Sequence, residues 1–366
     1  MQTTVAIVGG GLAGLYAGRL LHAARIDFRL MEARERLGGR VLSVDSSGAP
    51  AEDGFDLGPS WFWPEAQPQV AALVRDLGVA TFPQYSEGDV VFHRMSRETP
   101  WRYRATHQEP QSMRIAGGTG ALIQALAKDL PGSSVLLNAQ VKRMTLRSNH
   151  VELATAGPDG WEDAIFADHV IAAVPPRLLA RISFSPAMDP SVEELWMETP
   201  TWMAPHAKFL AIYDRPFWRD AGLAGSAQSL VGPLAEIHDA TTASGRAALF
   251  GFPGIPADAR ASLGSAALTK ACLEQLAHLF GPEARDPRAT LFKDWAADPL
   301  TATAADRSAG GHPSPSAKPW VTGEWRKLLS LAGSETSAIE PGYLAGAVSA
   351  AERAVSEVMQ RLHAQS

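Results

Sequence analysis

The stretch Val5-Ala-Ile-Val-Gly-Gly-Gly-Leu-Ala-Gly-Leu15 decides the fold of this 366-residue chain. Residues 4–8 are short, mainly apolar and rich in valine and isoleucine, which is typical of a buried parallel strand. Gly9, Gly11 and Gly14 follow as G-x-G-x-x-G, the pattern of a tight turn whose helix N-terminus faces the pyrophosphate of a dinucleotide. A tight turn without a ligand is the alternative for an isolated glycine pattern.

The next segment narrows the dinucleotide to FAD. A second strand, residues 27–31, ends at Glu32, about twenty residues beyond the glycines, where a carboxylate holds a ribose hydroxyl. Arg34, Arg36 and Arg40 then cluster on a glycine-kinked turn, where a guanidinium can fold over the pyrophosphate as a bidentate donor. A solvated surface turn is an alternative for Arg34 and Arg36 but suits Arg40 poorly. The cofactor residues predicted here are Gly9, Gly11, Gly14, Glu32, Arg34, Gly39 and Arg40.

Length and composition limit the possible domain organisation, partners and location of the protein. A chain of 366 residues suits two domains that share an interface, and a net charge of −6 gives no reason to expect nucleic acid as a partner. Met1 leads straight into a core strand, and the apolar runs are too short to cross a bilayer, so we expect neither a signal peptide nor a membrane partner. A single cysteine fits a reducing compartment, which predicts a cytoplasmic protein.

The N-terminal fingerprint resembles the flavin amine oxidase superfamily, which includes monoamine oxidases, polyamine oxidases and L-amino-acid oxidases. Residues 55–64 are similar to its second flavin contact, where the backbone at Gly58, Pro59 and Ser60 passes the isoalloxazine ring. The resemblance implies an α/β fold with a Rossmann-like FAD-binding domain. A reduced α+β substrate-binding domain is interleaved with it, as in two-domain flavoproteins of the p-hydroxybenzoate hydroxylase and amine oxidase type.

The middle of the chain supports this order of segments. A helix is predicted at 121–130, and Val141 falls where the family offers its backbone to adenine. A second helix, residues 262–280, contains the single cysteine, Cys272, which core packing explains most simply. Strands are predicted at residues 135–137, 141–146, 150–155, 161–166 and 170–174.

The C-terminal part resembles the closing signature of the family. Gly342, Gly346 and Ala347 open a long helix whose N-terminus is directed at the pyrimidine end of the flavin, where its dipole stabilises negative charge. Glu335, after Gly333, corresponds to the acid that binds the ribityl or phosphate region. The alternatives are a packed amphipathic helix and, for Glu335, an N-terminal charge on that helix.

The predicted domains are interleaved. Residues 1–77, 116–199 and 297–366 are assigned to the FAD-binding domain, and residues 78–115 and 200–296 to the substrate-binding domain. Few residues lie between Val79 and Ile115, where amine oxidases insert several helices. The smaller lid implies a more open cavity, or one that another subunit closes.

Lys208 is the main catalytic candidate. It lies on an apolar strand before Pro216-Phe-Trp218, with the spacing of the family lysine that holds a water against flavin N5 and assists reoxidation. The alternative is an edge-strand lysine that guards against aggregation. Trp295 resembles the tryptophan that lines the flavin, and a core aromatic is its equal alternative. No Ser-His-Asp or metal-ligand spacing occurs among the ten histidines.

Tyr343 corresponds to one wall of the aromatic cage of the family, with a core tyrosine as the alternative. The second wall is missing, because its place is near Ala305. Monoamine oxidases attach the flavin through a cysteine in the same region. The corresponding position here is at about Ala304, so that cysteine is absent. We therefore expect non-covalent FAD and no metal.

These features together predict an FAD-dependent amine oxidase. A hydride passes from the substrate carbon to flavin N5, the C–N bond becomes an imine, and molecular oxygen accepts the electrons to give H2O2. The expected partners are a small-molecule amine and oxygen. Two alternatives stay open: a flavin desaturase or porphyrinogen-type oxidase that acts on C–C bonds, and a non-catalytic FAD-containing binding module.

Overall fold

The computed structural model describes residues 1–104, 110–308 and 311–365. The strands are β1 (Gln2–Val8), β2 (Phe28–Met31), β3 (Ser43–Val44), β4 (Phe55–Asp56), β5 (Thr81–Pro83), β6 (Asp89–His93), β7 (Trp101–Arg104), β8 (Met113–Ile115), β9 (Val135–Leu136), β10 (Gln140–Leu146), β11 (Val151–Ala156), β12 (Glu162–Ala172), β13 (Ser183–Ser185), β14 (Ala207–Tyr213), β15 (Leu223–Ser229), β16 (Leu234–Asp239), β17 (Ala247–Pro253), β18 (Ala289–Asp294) and β19 (Leu329–Leu331). The helices are α1 (Leu12–Ala23), α2 (Pro68–Asp76), α3 (Gly120–Lys128), α4 (Pro176–Leu179), α5 (Pro190–Glu198), α6 (Phe217–Asp220), α7 (Ala257–Leu263), α8 (Ser265–Phe280) and α9 (Leu344–Gln365).

The first sheet is built around the N-terminal strand. β1 pairs in parallel with β2 on one side and with β12 on the other. The order β13-β10-β11-β12-β1-β2-β9 follows, and β19 pairs in parallel with β12 on the side opposite to β1. Because β1 is covered on both faces, Val5, Ala6 and Ile7 are completely buried. This arrangement confirms the predicted α/β class.

Helices α1 and α9 pack together against the first sheet. Their shared core contains Leu15 and Leu21 of α1 together with Val348 and Val358 of α9. Helix α1, which follows β1 directly, thus packs against α9, the C-terminal helix of the described chain.

The second sheet has the order β18-β14-β17-β16-β15-β6-β7. β14 lies inside it, between the antiparallel strands β17 and β18, and every residue of β14 is buried. Lys208, the second residue of β14, is therefore not on an edge strand, and the alternative of an edge-strand lysine is wrong.

Two predicted elements differ from the structure. The separate strands at 161–166 and 170–174 are one continuous strand, β12, because its residues pair first with β11 and then with β1 and β19. The predicted helix 262–280 is divided at Gly264, whose φ of 77° interrupts the helix between α7 and α8.

The domain boundaries stay a prediction. Strands of the second sheet come from residues 89–104 and 207–294, and those of the first come from the segments around them. In the described part of the chain, no helix combines the length and the hydropathy needed to cross a bilayer.

Candidate active site

A cavity of about 800 Å³ extends between the glycine-rich turn of the first sheet and strand β14 of the second. Most predicted site residues line it, whereas Gly14 and Glu335 lie just behind its wall. The lining residues predicted from the sequence are Gly9, Gly11, Glu32, Arg34, Gly39, Arg40, Gly58, Pro59, Ser60, Val141, Lys208, Trp295, Gly333, Gly342, Tyr343 and Ala347.

The glycine-rich turn has the shape that a pyrophosphate needs. Gly9 has a φ of 105°, and a Cβ on Gly14 would lie 1.9 Å from the Gly9 carbonyl oxygen, so helix and strand meet only with glycine there. A Cβ on Gly11 would meet only the Gly38 carbonyl oxygen, at 3.9 Å, which leaves the backbone open to the cavity. The turn thus fits a dinucleotide at the start of α1.

Glu32 is anchored by main-chain groups. Its Oε2 accepts a hydrogen bond from the Gly10 N–H at 2.7 Å, and its Oε1 accepts one from the Arg34 N–H at 2.8 Å. The carboxylate is 6 % exposed and lines the cavity at the end of β2. A fixed carboxylate at this place suits a ribose hydroxyl.

The three arginines of the sequence motif lie in different surroundings. Arg34 lines the cavity and donates to Asp298 at 3.0 Å and to Thr301 Oγ1 at 3.0 Å. Arg36 instead donates to backbone carbonyls of its own turn, including Gly39 at 2.9 Å. Sequence analysis did not identify Asp298, because its partner precedes it by 264 positions.

Arg40 faces the cavity while its guanidinium binds Glu335. The N–O distances are 2.6 and 3.1 Å, and Glu335 is completely buried. Both side chains also bind the main chain of Trp202: Arg40 donates to its carbonyl at 3.2 Å, and Glu335 accepts from its N–H at 3.3 Å. The ion pair therefore fixes the position of Trp202 on the cavity wall.

Lys208 is buried at the opposite side of the cavity. Its Nζ lies 3.0 Å from the Asp56 carbonyl oxygen, 2.7 Å from the Gly58 carbonyl oxygen and 2.9 Å from Ser60 Oγ. Burial lowers the pKa of the Lys208 amine to about 7, against an opposing influence of Asp56. The side chain thus holds the segment 58–60 and is poised to exchange a proton near neutral pH.

Asp56 organises the neighbourhood of Lys208, although the sequence motif did not single it out. Its Oδ1 accepts hydrogen bonds from Ser43 Oγ at 2.6 Å and from both the N–H and the hydroxyl of Thr119, at 2.7 and 2.8 Å. Thr119 precedes α3, so one carboxylate joins β3, β4 and the start of that helix. The sequence signal that could have identified Asp56 is its place directly before Leu57-Gly58 in the second flavin-contact segment.

Trp295 and the residue at position 305 have different surroundings. Trp295 is 6 % exposed, lines the cavity, and donates from its indole N–H to the Leu57 carbonyl oxygen at 3.0 Å. Ala305 is exposed and does not line the cavity. Position 305 therefore provides no aromatic wall, because its residue is an alanine and because it lies away from the cavity.

Trp202 is the aromatic neighbour of Tyr343 on the cavity wall. Their ring centroids are 6.0 Å apart, with an angle of 48° between the planes. His312 contacts both rings, with centroids 5.0 Å from Tyr343 and 4.5 Å from Trp202. Burial, reinforced by Glu340, raises the pKa of the Tyr343 phenol, which therefore stays neutral. The sequence motifs do not identify Trp202 as the neighbour of Tyr343.

The single cysteine of the chain, Cys272, lies away from the cavity. Cys272 is completely buried in the core between α8 and the second sheet, where burial raises the pKa of its thiol to about 12. Across the described ranges, no three His, Cys, Asp or Glu side chains form a group able to hold a metal ion.

The fold and the cavity define a protein built on a dinucleotide-binding turn, and comparison with known families identifies its class. The model of the family described as "Flavin containing amine oxidoreductase" matches residues 96–359, and that of the "NAD(P)-binding Rossmann-like domain" matches residues 7–77. The chain belongs to the flavin-containing amine oxidoreductase family. It is thus a flavoprotein enzyme with a Rossmann-like domain, as predicted, and the alternative of a non-catalytic binding module is set aside.

Several relatives match over nearly their whole length. The chain is 25 % identical to a probable flavin-containing monoamine oxidase A of Dictyostelium discoideum, covering 98 % of each chain, and 24 % identical to a putrescine oxidase of Kocuria rosea, covering 85 % and 86 %. A solved structure of putrescine oxidase bound to putrescine superimposes with a TM-score of 0.80 at 22 % identity, covering 98 % and 99 %. The Dictyostelium alignment runs over 467 positions, so that relative contains segments which this 366-residue chain lacks.

Proposed function

We propose that the protein oxidises a small amine to an imine with non-covalent FAD, and that oxygen reoxidises the flavin with formation of H2O2. One observation carries the proposal. A single cavity joins the glycine-rich turn and Glu32 to a buried lysine, Lys208, and to the paired rings of Tyr343 and Trp202. The first part suits the adenosine and pyrophosphate of FAD, and the second suits an amine beside the flavin ring.

The lining residues fit an extended FAD molecule. Glu32 would hold the ribose, and Val141 would offer its backbone to the adenine. Gly11 and the N-terminus of α1 would receive the pyrophosphate. Gly58 and its neighbours, whose backbone is held by Lys208, would carry the isoalloxazine end. Glu335 lies behind the wall, so we assign it an indirect role, which is to orient Arg40 towards the cofactor.

The chemistry that bound FAD would supply is acceptance of a hydride from the amine carbon and transfer of the two electrons to oxygen. The residues of the chain provide the surroundings for this chemistry. Tyr343 and Trp202 present aromatic faces to the amine, and an apolar pocket favours the neutral amine over the ammonium form. The protonated form of Lys208 supplies a positive charge that favours electron transfer to oxygen. A water held by Lys208, as the family resemblance implies, has to compete with the three oxygens that Nζ already contacts.

Non-covalent attachment is supported by the sequence and by the position of Cys272. This is the single cysteine of the chain, it is buried in the second sheet's core, and it does not line the cavity. The proposed cytoplasmic location rests on the same scarcity of cysteine.

An anaerobic reduction experiment tests the proposal. The purified protein is mixed with a panel of primary amines, secondary amines and amino acids, and the absorbance of the oxidised flavin is followed. We expect at least one amine to bleach the flavin, and admitted air to restore the colour with one H2O2 per imine. A flavin that stays oxidised with every amine contradicts the proposal, and restoration without H2O2 contradicts oxygen as the two-electron acceptor.

A further inference from the structure

A second cavity, of about 520 Å³, opens between the last helix and strand β19. Its walls come from residues 319–331, which include β19, and from residues 353–364 of α9. Within the described ranges, the second cavity shares no lining residue with the cavity that holds Lys208 and Tyr343. The proposed amine oxidation therefore assigns no role to the second cavity.

The lining of the second cavity is positively charged. Its charged residues are Arg326, Arg353, Arg361 and Glu357. Three guanidinium groups therefore face one carboxylate, although the whole chain has a net charge of −6. Arg326 is exposed and has no hydrogen bond or ion pair with any residue that the structure describes. Two positive charges of the lining are thus left without a counter-charge.

The single carboxylate is shared between two of the arginines. Glu357 lies 3.3 Å from Arg353 Nη1 and 3.5 Å from Arg361 Nη2. Burial lowers the pKa of the Arg361 guanidinium; Glu357 opposes this effect, and the charge of Arg326 adds to it. The guanidinium groups of Arg326 and Arg361 therefore repel each other, and an anion between them would relieve the repulsion.

The strand β19 fixes the two paired guanidinium groups. Arg361 Nη1 donates to Ser330 Oγ at 2.8 Å, and Ser330 is almost completely buried. Arg353 Nη2 donates to the Leu331 carbonyl oxygen at 2.9 Å. Because these donors are already oriented by the fold, less side-chain entropy is lost when an anion binds beside them.

An indole ring forms another part of the wall. Trp320 lines the second cavity and is half-buried, and its carbonyl oxygen accepts a hydrogen bond from the indole N–H of Trp196 at 3.0 Å. The apolar side chains of Val321 and Ala364 also line the cavity. A fixed aromatic face among apolar groups suits a flat ring of a ligand.

We propose that the second cavity binds an organic phosphate monoester, with the phosphate on Arg326 and Arg361 and a flat ring against Trp320. A phosphate monoester carries about 1.5 to 2 negative charges at pH 7, which matches the uncompensated charge of the lining. Guanidinium groups bind phosphate oxygens through paired hydrogen bonds. The inference does not depend on the proposed amine oxidation, because the two cavities are separate.

Equilibrium dialysis of the FAD-saturated protein tests the inference, with FAD present on both sides of the membrane. The probe is 1-naphthyl phosphate. It is compared with 1-naphthyl sulfate, which has the same ring and one negative charge fewer, and with methyl phosphate, which lacks the ring. At pH 8 we expect the probe to saturate one site with a Kd below about 1 mM and to bind at least tenfold more tightly than either analogue. Absence of saturable binding overturns the proposal, and equal affinities of the three compounds exclude the proposed ligand class.

Substitutions locate the bound probe. Arg326→Ala removes an exposed side chain, and we expect the affinity for 1-naphthyl phosphate to fall at least tenfold. The control is Arg147→Ala, which removes an exposed arginine from an ion pair with Glu152, lines neither cavity and should leave the affinity unchanged. Wild-type affinity in Arg326→Ala would place the probe elsewhere and overturn the assignment.

A substitution with the opposite effect guards against misfolding as an explanation. Glu357→Gln removes the negative charge of the lining, and we expect the affinity for 1-naphthyl phosphate to rise at least threefold. A damaged fold would lower the affinity rather than raise it. An affinity that does not rise in Glu357→Gln contradicts binding through the charge of this cavity, and the arginines would then serve only to pair Glu357 and to hold β19.

Discussion

Arg40 and Glu335 lie 295 positions apart in the sequence and form a bidentate ion pair at 2.6 and 3.1 Å. The pair joins the turn after β2 to the segment that precedes α9, and both side chains bind the main chain of Trp202. A single electrostatic contact therefore connects the proposed pyrophosphate end of the cavity to its aromatic wall. The strength of this ion pair can be measured by substitution of either residue.

Glu335→Gln should destabilise the protein strongly. The substitution leaves the guanidinium of Arg40 without its counter-charge, and breaking a buried pair costs about 3–5 kcal/mol; we expect the lower end, about 3 kcal/mol, because Arg40 is partly exposed. Urea unfolding at saturating FAD measures the free energy. The exposed Glu194→Gln serves as the control and should change it by less than about 0.5 kcal/mol. Equal stabilities of the two variants would mean that the pair contributes nothing.

Gly342→Ala should disturb the aromatic wall. Gly342 has a φ of 86°, and a Cβ there would lie 2.4 Å from the Cβ of Trp202, so the tryptophan has to move. Gly264→Ala is a matched control, because its φ is 77° and a Cβ would meet nothing within 4 Å. Both variants carry backbone strain of about 1–3 kcal/mol. We expect kcat/KM for the best amine to fall at least tenfold in the first variant and less than twofold in the second. Equal effects would exclude Trp202 from substrate binding.

Glu32→Ala should weaken FAD binding by about 1.5–3 kcal/mol, the value of a charge-assisted hydrogen bond to the ribose. The loss includes the loosening of the turn, since the carboxylate also accepts from the Gly10 and Arg34 N–H groups. Titration of the apoprotein with FAD gives the dissociation constant. The exposed neighbour Glu35 is the control, and Glu35→Ala should bind FAD as the wild type does. Unchanged affinity in Glu32→Ala would show that the adenosine end is misplaced.

Lys208→Met should separate flavin binding from flavin reoxidation. The variant keeps the length of the side chain and removes the donors and the charge, so FAD should stay bound while reoxidation by oxygen, imine formation or both slow at least tenfold. A tenfold loss corresponds to about 1.4 kcal/mol, well within the effect of one charged donor in a dry site. Stopped-flow reduction by an amine, then mixing with air-saturated buffer, measures both steps. The exposed Lys270→Met is the control. Wild-type rates in both steps would leave Lys208 with a structural role only.

The same lysine predicts a pH dependence of stability. Its pKa is lowered from 10.5 to about 7 in the folded state, so between pH 7 and 10 the unfolded chain binds a proton that the folded chain does not. Stability should therefore rise with pH through this window, by at most about 1.4 kcal/mol per pH unit, and show no slope from this group below it. Urea unfolding of FAD-saturated wild type and Lys208→Met at pH 7, 8 and 9 gives the difference. A difference that stays constant with pH contradicts a neutral buried amine.

Acid precipitation should release the flavin. Cys272 is completely buried away from the cavity, so no thiol is available for attachment, and the yellow colour should appear in the supernatant. Cys272→Ser should behave in the same way. Colour retained in the pellet of the wild type would indicate a covalent bond to another residue type.

Local patterns carried the prediction of the dinucleotide half of the site. The Gly9–Gly14 turn and Glu32 could be identified because the first strand, the turn and the second strand follow one another in the sequence. Each glycine of the turn is required for steric reasons, so the requirement is visible as a fixed spacing of glycines. The partners of Arg34 and Arg40 were not identifiable, since charge pairs separated by hundreds of positions leave no periodic signal. Glu236 on β16, which also lines the cavity, was missed for a related reason. Its place on the cavity wall depends on the order of β14, β17 and β16, and sequence spacing alone does not determine which strands become neighbours.

The packing of α1 against α9 has a consequence for biosynthesis. The proposed cofactor site includes both Gly9 and Ala347, which lie 338 positions apart in the sequence. A ribosome-bound chain that ends before residue 347 has the turn but lacks part of the opposite wall. Loading with flavin is therefore expected only after residue 347 has been synthesised, and until then we expect the apolar faces of α1 and β1 to be open to aggregation.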